Sequence, residues 1–226
     1  MCYSIESSLR TSGMSLIAII YLLSSGIPKF QYLGIVLIGW CGMQLAEAFL
    51  WMTNPKKSCT TTNRLITLFI IPIVLLLQPL ASIFGSVFIQ PWNENKNFKI
   101  YYSLAIAIPF LFIRYIVNPL FFKYKFCTTV TPNGHLDWFI KVSDTYKPTF
   151  LVIFSQFLWT FLGVYPLVKF WTGKRIWPFF IIPVVGMILS LFTDSPASIW
   201  CHITSYSSIS AILLLFLYKH GIKIID

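Results

Sequence analysis

Seven apolar runs, over 11–26, 31–52, 64–89, 99–122, 149–171, 177–192 and 197–218, limit what this chain can fold into more than any other feature. A helix needs about 20 predominantly apolar residues to cross the hydrocarbon core of a bilayer. All but the first run are long enough, the sixth barely. The chain has 226 residues, so little is left for a second domain. Only 11% of them are charged, against about 25% in a soluble domain. The expected fold is therefore all-α: one polytopic integral membrane domain over 1–226, a seven-transmembrane-helix bundle with its termini on opposite faces. The first run is strictly apolar only over 16–23. With Arg10 before it and Ser24, Ser25 and Gly26 after it, it also fits a signal peptide with a small-residue cleavage site. An uncleaved span is preferred because Gln31 follows so closely.

The connectors are short and turn-rich except for 123–148. There the run from Phe126 to Thr131 is β-branched and aromatic, Pro132-Asn133-Gly134 supplies a tight turn, and 136–142 can return as a second strand. A short β-hairpin between the fourth and fifth helices, lying over one membrane face, is the expectation. We call the face bearing the N-terminus face A and the other face B. Arg10, Lys56, Lys57, Arg64, Lys123, Lys125, Lys141 and Lys147 then fall on face A, and Lys29, Lys96, Lys99, Lys169, Lys174, Arg175, Lys219 and Lys223 on face B. The tie gives no orientation by loop charge; discounting the long hairpin loop tilts it toward a cytoplasmic C-terminus. The net charge of +10 suits anionic lipid headgroups, where each juxtamembrane cation contributes about 1 kcal/mol. No basic patch of the kind that tracks a phosphate backbone is present, so nucleic acid is not an expected partner.

The five cysteines show no CxxC spacing and no paired histidine ligands, so no metal and no cofactor is expected. If face A is non-cytoplasmic, Cys59 and Cys127 could bond and pin the hairpin loop to the bundle; two free thiols are the alternative.

Charged and amide side chains at bilayer depth are costly and usually face the bundle interior. Trp40, Gln44, Glu47 and Trp51 recur at steps of four, three and four, on one helical stripe. Arg114 lies at a matching depth on the fourth span, so a Glu47–Arg114 ion pair is a candidate. Gln156 and Trp159 on the fifth span, and Trp200 and His202 on the seventh, stand at similar depth. Gln78 lies deeper, beside Pro79 and two turns after Pro72. Together these residues predict a polar, Trp-lined cavity opening toward face A. The competing reading is that they only hold helices together, with Arg114 snorkelling to the interface.

Several chemistries lack their residues. The seventh span has no mid-span lysine for a retinal Schiff base, and HExxH, GxSxG, phosphate-cradling and potassium-filter motifs are absent. His135 and Asp137 could act as an acid/base pair beside a turn, or be ordinary loop polarity. His202 could ligate a metal or haem, but no second in-span histidine joins it. An enzyme is therefore the less expected class.

The span count, the hairpin-bearing loop and the positions of Cys59 and Cys127 resemble G-protein-coupled receptors in architecture alone, because Phe84-Gly85-Ser86 stands where an Asp-Arg-Tyr type motif would. Glu47 with Trp51, Cys59 with Asn63, Gln78-Pro79-Leu80, and the Ser198 to His202 run resemble uncharacterised multi-spanning membrane proteins of large DNA viruses and algae. That resemblance implies a seven-helix fold and carries no activity. The expected function is binding or passage of a small solute or ion by a transporter or channel; the alternative is a receptor-like or assembly protein that uses the 123–148 hairpin. The sequence does not reveal the oligomeric state.

Overall fold

The computed structural model describes residues 4–88, 126–137 and 196–222 and the isolated positions 104, 108 and 112, with side chains omitted at 86–88 and 196–205. The described chain is mostly helical with one two-stranded antiparallel sheet: α1 (Ile5–Leu23), α2 (Pro28–Met52), α3 (Thr61–Leu65), a π-helical turn (Ile66–Ile70), α4 (Ile71–Phe88), β1 (Thr129–Val130), β2 (Leu136–Asp137) and α5 (Pro196–Lys219). Two of these helices, α2 and the continuous helix Thr61–Gly85, are long and apolar enough to cross a membrane. The expected spans 99–122, 149–171 and 177–192 fall outside the described residues, apart from helical positions at 104, 108 and 112.

Helix α1 begins six residues before the apolar run does. The Ser4 hydroxyl accepts from the Ser7 N–H while the Ser7 hydroxyl accepts from the Ser4 N–H, a reciprocal cap that satisfies two otherwise orphaned donors. Its buried stripe is Ser8, Ser12, Ser15, Ala18, Ile19 and Leu22, spaced by about one turn, so the stripe is polar toward face A and apolar toward face B. The chain turns back at Gly26 (φ 68°), a conformation open to glycine at little cost, and Pro28 occupies the first turn of α2, where its missing N–H is not needed.

Helix α2 is the hub, touching α1, α4 and α5. Against α1 it runs antiparallel: Ser12 Oγ lies 3.5 Å from Cys41 Sγ, and the Thr11 hydroxyl donates to Gln44 Oε1 at 3.0 Å. Against α4 it also runs antiparallel, with Tyr32 Oη 2.9 Å from Ser82 Oγ, Gly39 facing Gln78 and Gly42 facing Val74. Helix α5 runs parallel to α1, since Ser15 meets Ser208 at 2.8 Å and Ala18, Ile19 and Leu22 pack with Ala211, Leu214 and Leu215. Apolar packing is split in two. One cluster joins α1, α2 and α5 toward face B; the other joins Met43, Ala46, Leu50 and Trp51 of α2 to Ile71, Val74 and Leu75 of α4 and to Leu136 of β2, toward face A.

The π-helical turn ends at Ile70, two residues before Pro72. A proline ring has no N–H to donate and crowds the carbonyl four residues back, and a widened turn relieves that crowding. The helix continues through Pro79 inside α4. Outward faces are apolar: Ile17 and Ile20 of α1, Ile38 and Phe49 of α2, Phe69 and Ile73, and Leu213 and Phe216 of α5 are all exposed.

Candidate functional site

Two neighbouring structures at the face-A end make up the candidate site: a seam of buried polar residues on α1 and α2, and a hairpin fixed to the segment 59–67. In the seam Gln44 is 1% exposed and Glu47 is 0% exposed, although both lie in a helix long and apolar enough to cross a membrane. They share the stripe with Trp40 and Trp51. Stepping one turn along the α1–α2 register from the Thr11–Gln44 bond brings Ser8 level with Glu47. Ser8 is 0% exposed, and its hydroxyl has no hydrogen-bond partner among the described residues. Ser8, Thr11, Gln44 and Glu47 thus bring side-chain oxygen atoms to neighbouring levels of α1 and α2, the donor type suited to protons and hard cations.

Gln78 is buried on α4, and its Oε1 has no hydrogen-bond partner among the described residues. It stands level with Gly39, eight residues along α2 from Glu47, or about 12 Å. Gln44 and Glu47 therefore come together, and Gln78 belongs to a different level. Trp200 and His202 are in the first part of α5, whose side chains are among those omitted. Arg114, Gln156 and Trp159 lie outside the described residues, as does the Glu47–Arg114 pair. No group of three or more His, Cys, Asp or Glu side chains is placed to hold a metal among the described residues.

The hairpin is anchored residue by residue. Cys127 is disulfide-bonded to Cys59, with Cα atoms 5.7 Å apart. The Arg64 guanidinium stacks 4.9 Å from the centre of the Phe126 ring. Thr128 pairs with the Asn63 side chain as if with a strand: its N–H donates to Asn63 Oδ1 at 2.9 Å, and its carbonyl accepts from Asn63 Nδ2 at 3.0 Å. Thr67, buried in the π-helical turn, lies 2.7 Å from the Thr128 hydroxyl. The strands pair Thr129 with Asp137 and Val130 with Leu136. Between them the Gly134 N–H closes on the Thr131 carbonyl at 2.9 Å, with Gly134 at φ 80°.

Asn63→Ala deprives the buried Thr128 carbonyl of this donor, an expected cost of about 1 to 3 kcal/mol. Asn63→Asp does not rescue it, because a carboxylate oxygen then faces that carbonyl. Faster hydrogen exchange at the Thr128 amide in both variants is the check.

His135 precedes β2 and is only 5% exposed. Burial pushes its pKa below the ordinary 6.5. The unfolded chain therefore takes up a proton at this imidazole more readily than the folded hairpin does. Its contribution to stability is present above about pH 6.5 and is lost as pH falls below that value. Thermal unfolding followed from pH 7.5 down to 5 is expected to show this loss, and His135→Gln to flatten it.

Sequence reasoning missed the serines of α1 with Ser208, and the Asn63–Thr67–Thr128 set. The serine spacing of four and three was a usable signal, being a small-residue helix face; the Asn63 set joins distant segments and left none. No family model, curated protein or solved structure matches this chain.

Proposed function

We propose that this protein is a seven-helix membrane protein that binds and passes a small solute or ion through a polar interior near face A, with Glu47 as the proton or cation site. The observation that carries the proposal is the complete burial of the Glu47 side chain in a helix apolar enough to span. A carboxyl so placed is costly and marks an ion or proton path by default. Passage would exchange the hydration of the solute for fixed side-chain dipoles, supplied by Gln44, Thr11 and Ser8, with Arg114, Gln78, Gln156, Trp159, Trp200 and His202 as further proposed lining. The many large apolar side chains exposed on α1, α2, α4 and α5 support a lipid surrounding.

Chain direction supports seven crossings. α4 runs parallel to α1 and leaves the bundle at face B, while the hairpin sits at face A. Residues 89–125 have room for a single return, and exposed apolar side chains at Ile108 and Phe112 fit the lipid side of one. α5 starts at the hairpin end, so 138–195 would cross an even number of times, with room for two spans of about 20 residues. The resemblance to multi-spanning viral and algal proteins belongs to the same proposal and adds no activity to it.

A second reading, that of a receptor-like or assembly protein, has one observation behind it. The anchored hairpin presents Pro132 and Asn133 as an exposed tip. Reconstitution of the whole chain in sealed liposomes separates the two. Proton or alkali-cation flux above that of empty liposomes is expected. A silent bilayer, with a partner captured through the hairpin tip, would replace the first reading by the second.

A further inference from the structure

We infer that the hairpin over 126–137 is a cover that closes the face-A end of the Glu47 seam, and that the Cys59–Cys127 disulfide holds it shut on the extracytoplasmic side. The inference rests on the reading of Glu47 as an interior site. Leu136 is 1% exposed and belongs to the buried cluster that includes Met43 and Leu50 of α2. Those residues precede Glu47 by four and follow it by three, so they are its neighbours on the same face of α2. Leu136 therefore lies over the side of the helix that carries Glu47. The strand that bears Leu136 also touches α5, so the hairpin bridges from the α2–α4 groove to the helix on the other side of the seam.

Disulfides persist in oxidising compartments and are rare in the cytosol, which puts face A outside and the end of α5 in the cytoplasm. Cys59 is exposed whereas Cys127 is buried. A thiolate of an external dithiol can therefore attack the Cys59 sulfur, and Cys127 leaves as a thiolate and takes up a proton. The second thiol of the reagent then displaces Cys59, so the dithiol ends as its own disulfide and the protein as two thiols. Without the cross-link the Asn63 and Thr67 hydrogen bonds, the Arg64–Phe126 stack and the Leu136 packing still act on the cover.

The test uses the full chain with Cys2, Cys41 and Cys201 changed to serine, and carries Glu47→Cys as a reporter. Its reaction with a membrane-impermeant methanethiosulfonate added at face A is timed with the disulfide intact and with Cys59→Ser and Cys127→Ser. Loss of the disulfide is expected to speed labelling at position 47 by about thirtyfold or more, the lower end of what a native cross-link contributes. Ser15→Cys in the same backgrounds reports the α1–α5 seam, which the hairpin does not roof, and is expected to stay slow in both. An unchanged rate at position 47 overturns the cover, and so does a parallel rise at both positions, which is general loosening. Labelling needs no transport. A gated position 47 in a chain whose flux ignores Glu47→Gln therefore leaves the cover standing and removes the transport reading; the reverse pattern removes only the cover.

Discussion

Glu47→Gln is expected to lower cation or proton flux in reconstituted liposomes by roughly a hundredfold, the equivalent of the 2.5 to 3.5 kcal/mol scale on which a charge inside a span is felt. The amide has nearly the same shape as the carboxyl, keeps hydrogen-bonding capacity and needs no repacking beside Gln44. It cannot carry a proton or balance a cation. Unfolding of this variant in detergent is accordingly expected to stay within about 1 kcal/mol of the parent. That pairing of lost flux with retained stability separates a functional seam from one that only joins helices. If Glu47 were helix glue, the same substitution would lower stability and leave flux intact.

The largest expected effect on folding lies deeper in the bundle. A β-carbon built on Gly39 would fall 2.9 Å from the Gln78 Cα and 3.0 Å from the Leu77 carbonyl oxygen. Both are backbone atoms, so no side-chain rotation can make room and α2 must move away from α4. That movement strains the Tyr32–Ser82 bond and the Met43–Val74 cluster together. Overpacking typically costs about 1 to 3 kcal/mol; Gly39→Ala is expected within that range and Gly39→Val at or above its top. Gly13 supplies the control, because a β-carbon there meets nothing within 4 Å. Gly13→Ala is expected to be neutral or to stabilise α1 by up to about 1 kcal/mol. Denaturation of the three variants in one detergent gives the ordering.

The sequence and structure agree where a single local rule governs. The Trp40, Gln44, Glu47 and Trp51 spacing placed those residues on one stripe, and Pro132-Asn133-Gly134 was readable as a turn because its chemistry is local. The first strand is shorter than the sequence suggests, Thr129–Val130, and the expected return strand lies outside the described residues beyond Asp137. Helix α1 was legible only in its apolar part. Ser8, Ser12 and Ser15 contribute little hydropathy yet are buried between helices, since small hydroxyl side chains permit close approach. The carboxamide of Asn63 bonds to a backbone 65 residues away, and the contact of Gly39 with Gln78 depends on how two helices cross. Neither leaves a periodic trace, and neither could be found before the chain was folded.

Passage of an ion and the cover over Glu47 both require helices that cross a bilayer with the α2–α3 turn on the opposite side from the end of α5. Lys56 in that turn and His220 beyond α5 are both exposed, and each can carry the single free cysteine in the full chain with Cys2, Cys41 and Cys201 changed to serine and Cys59 bonded to Cys127. In sealed cells, Lys56→Cys is expected to react with an impermeant maleimide added outside, and His220→Cys only after the membrane is permeabilised. Reaction of both from the same side would contradict the account.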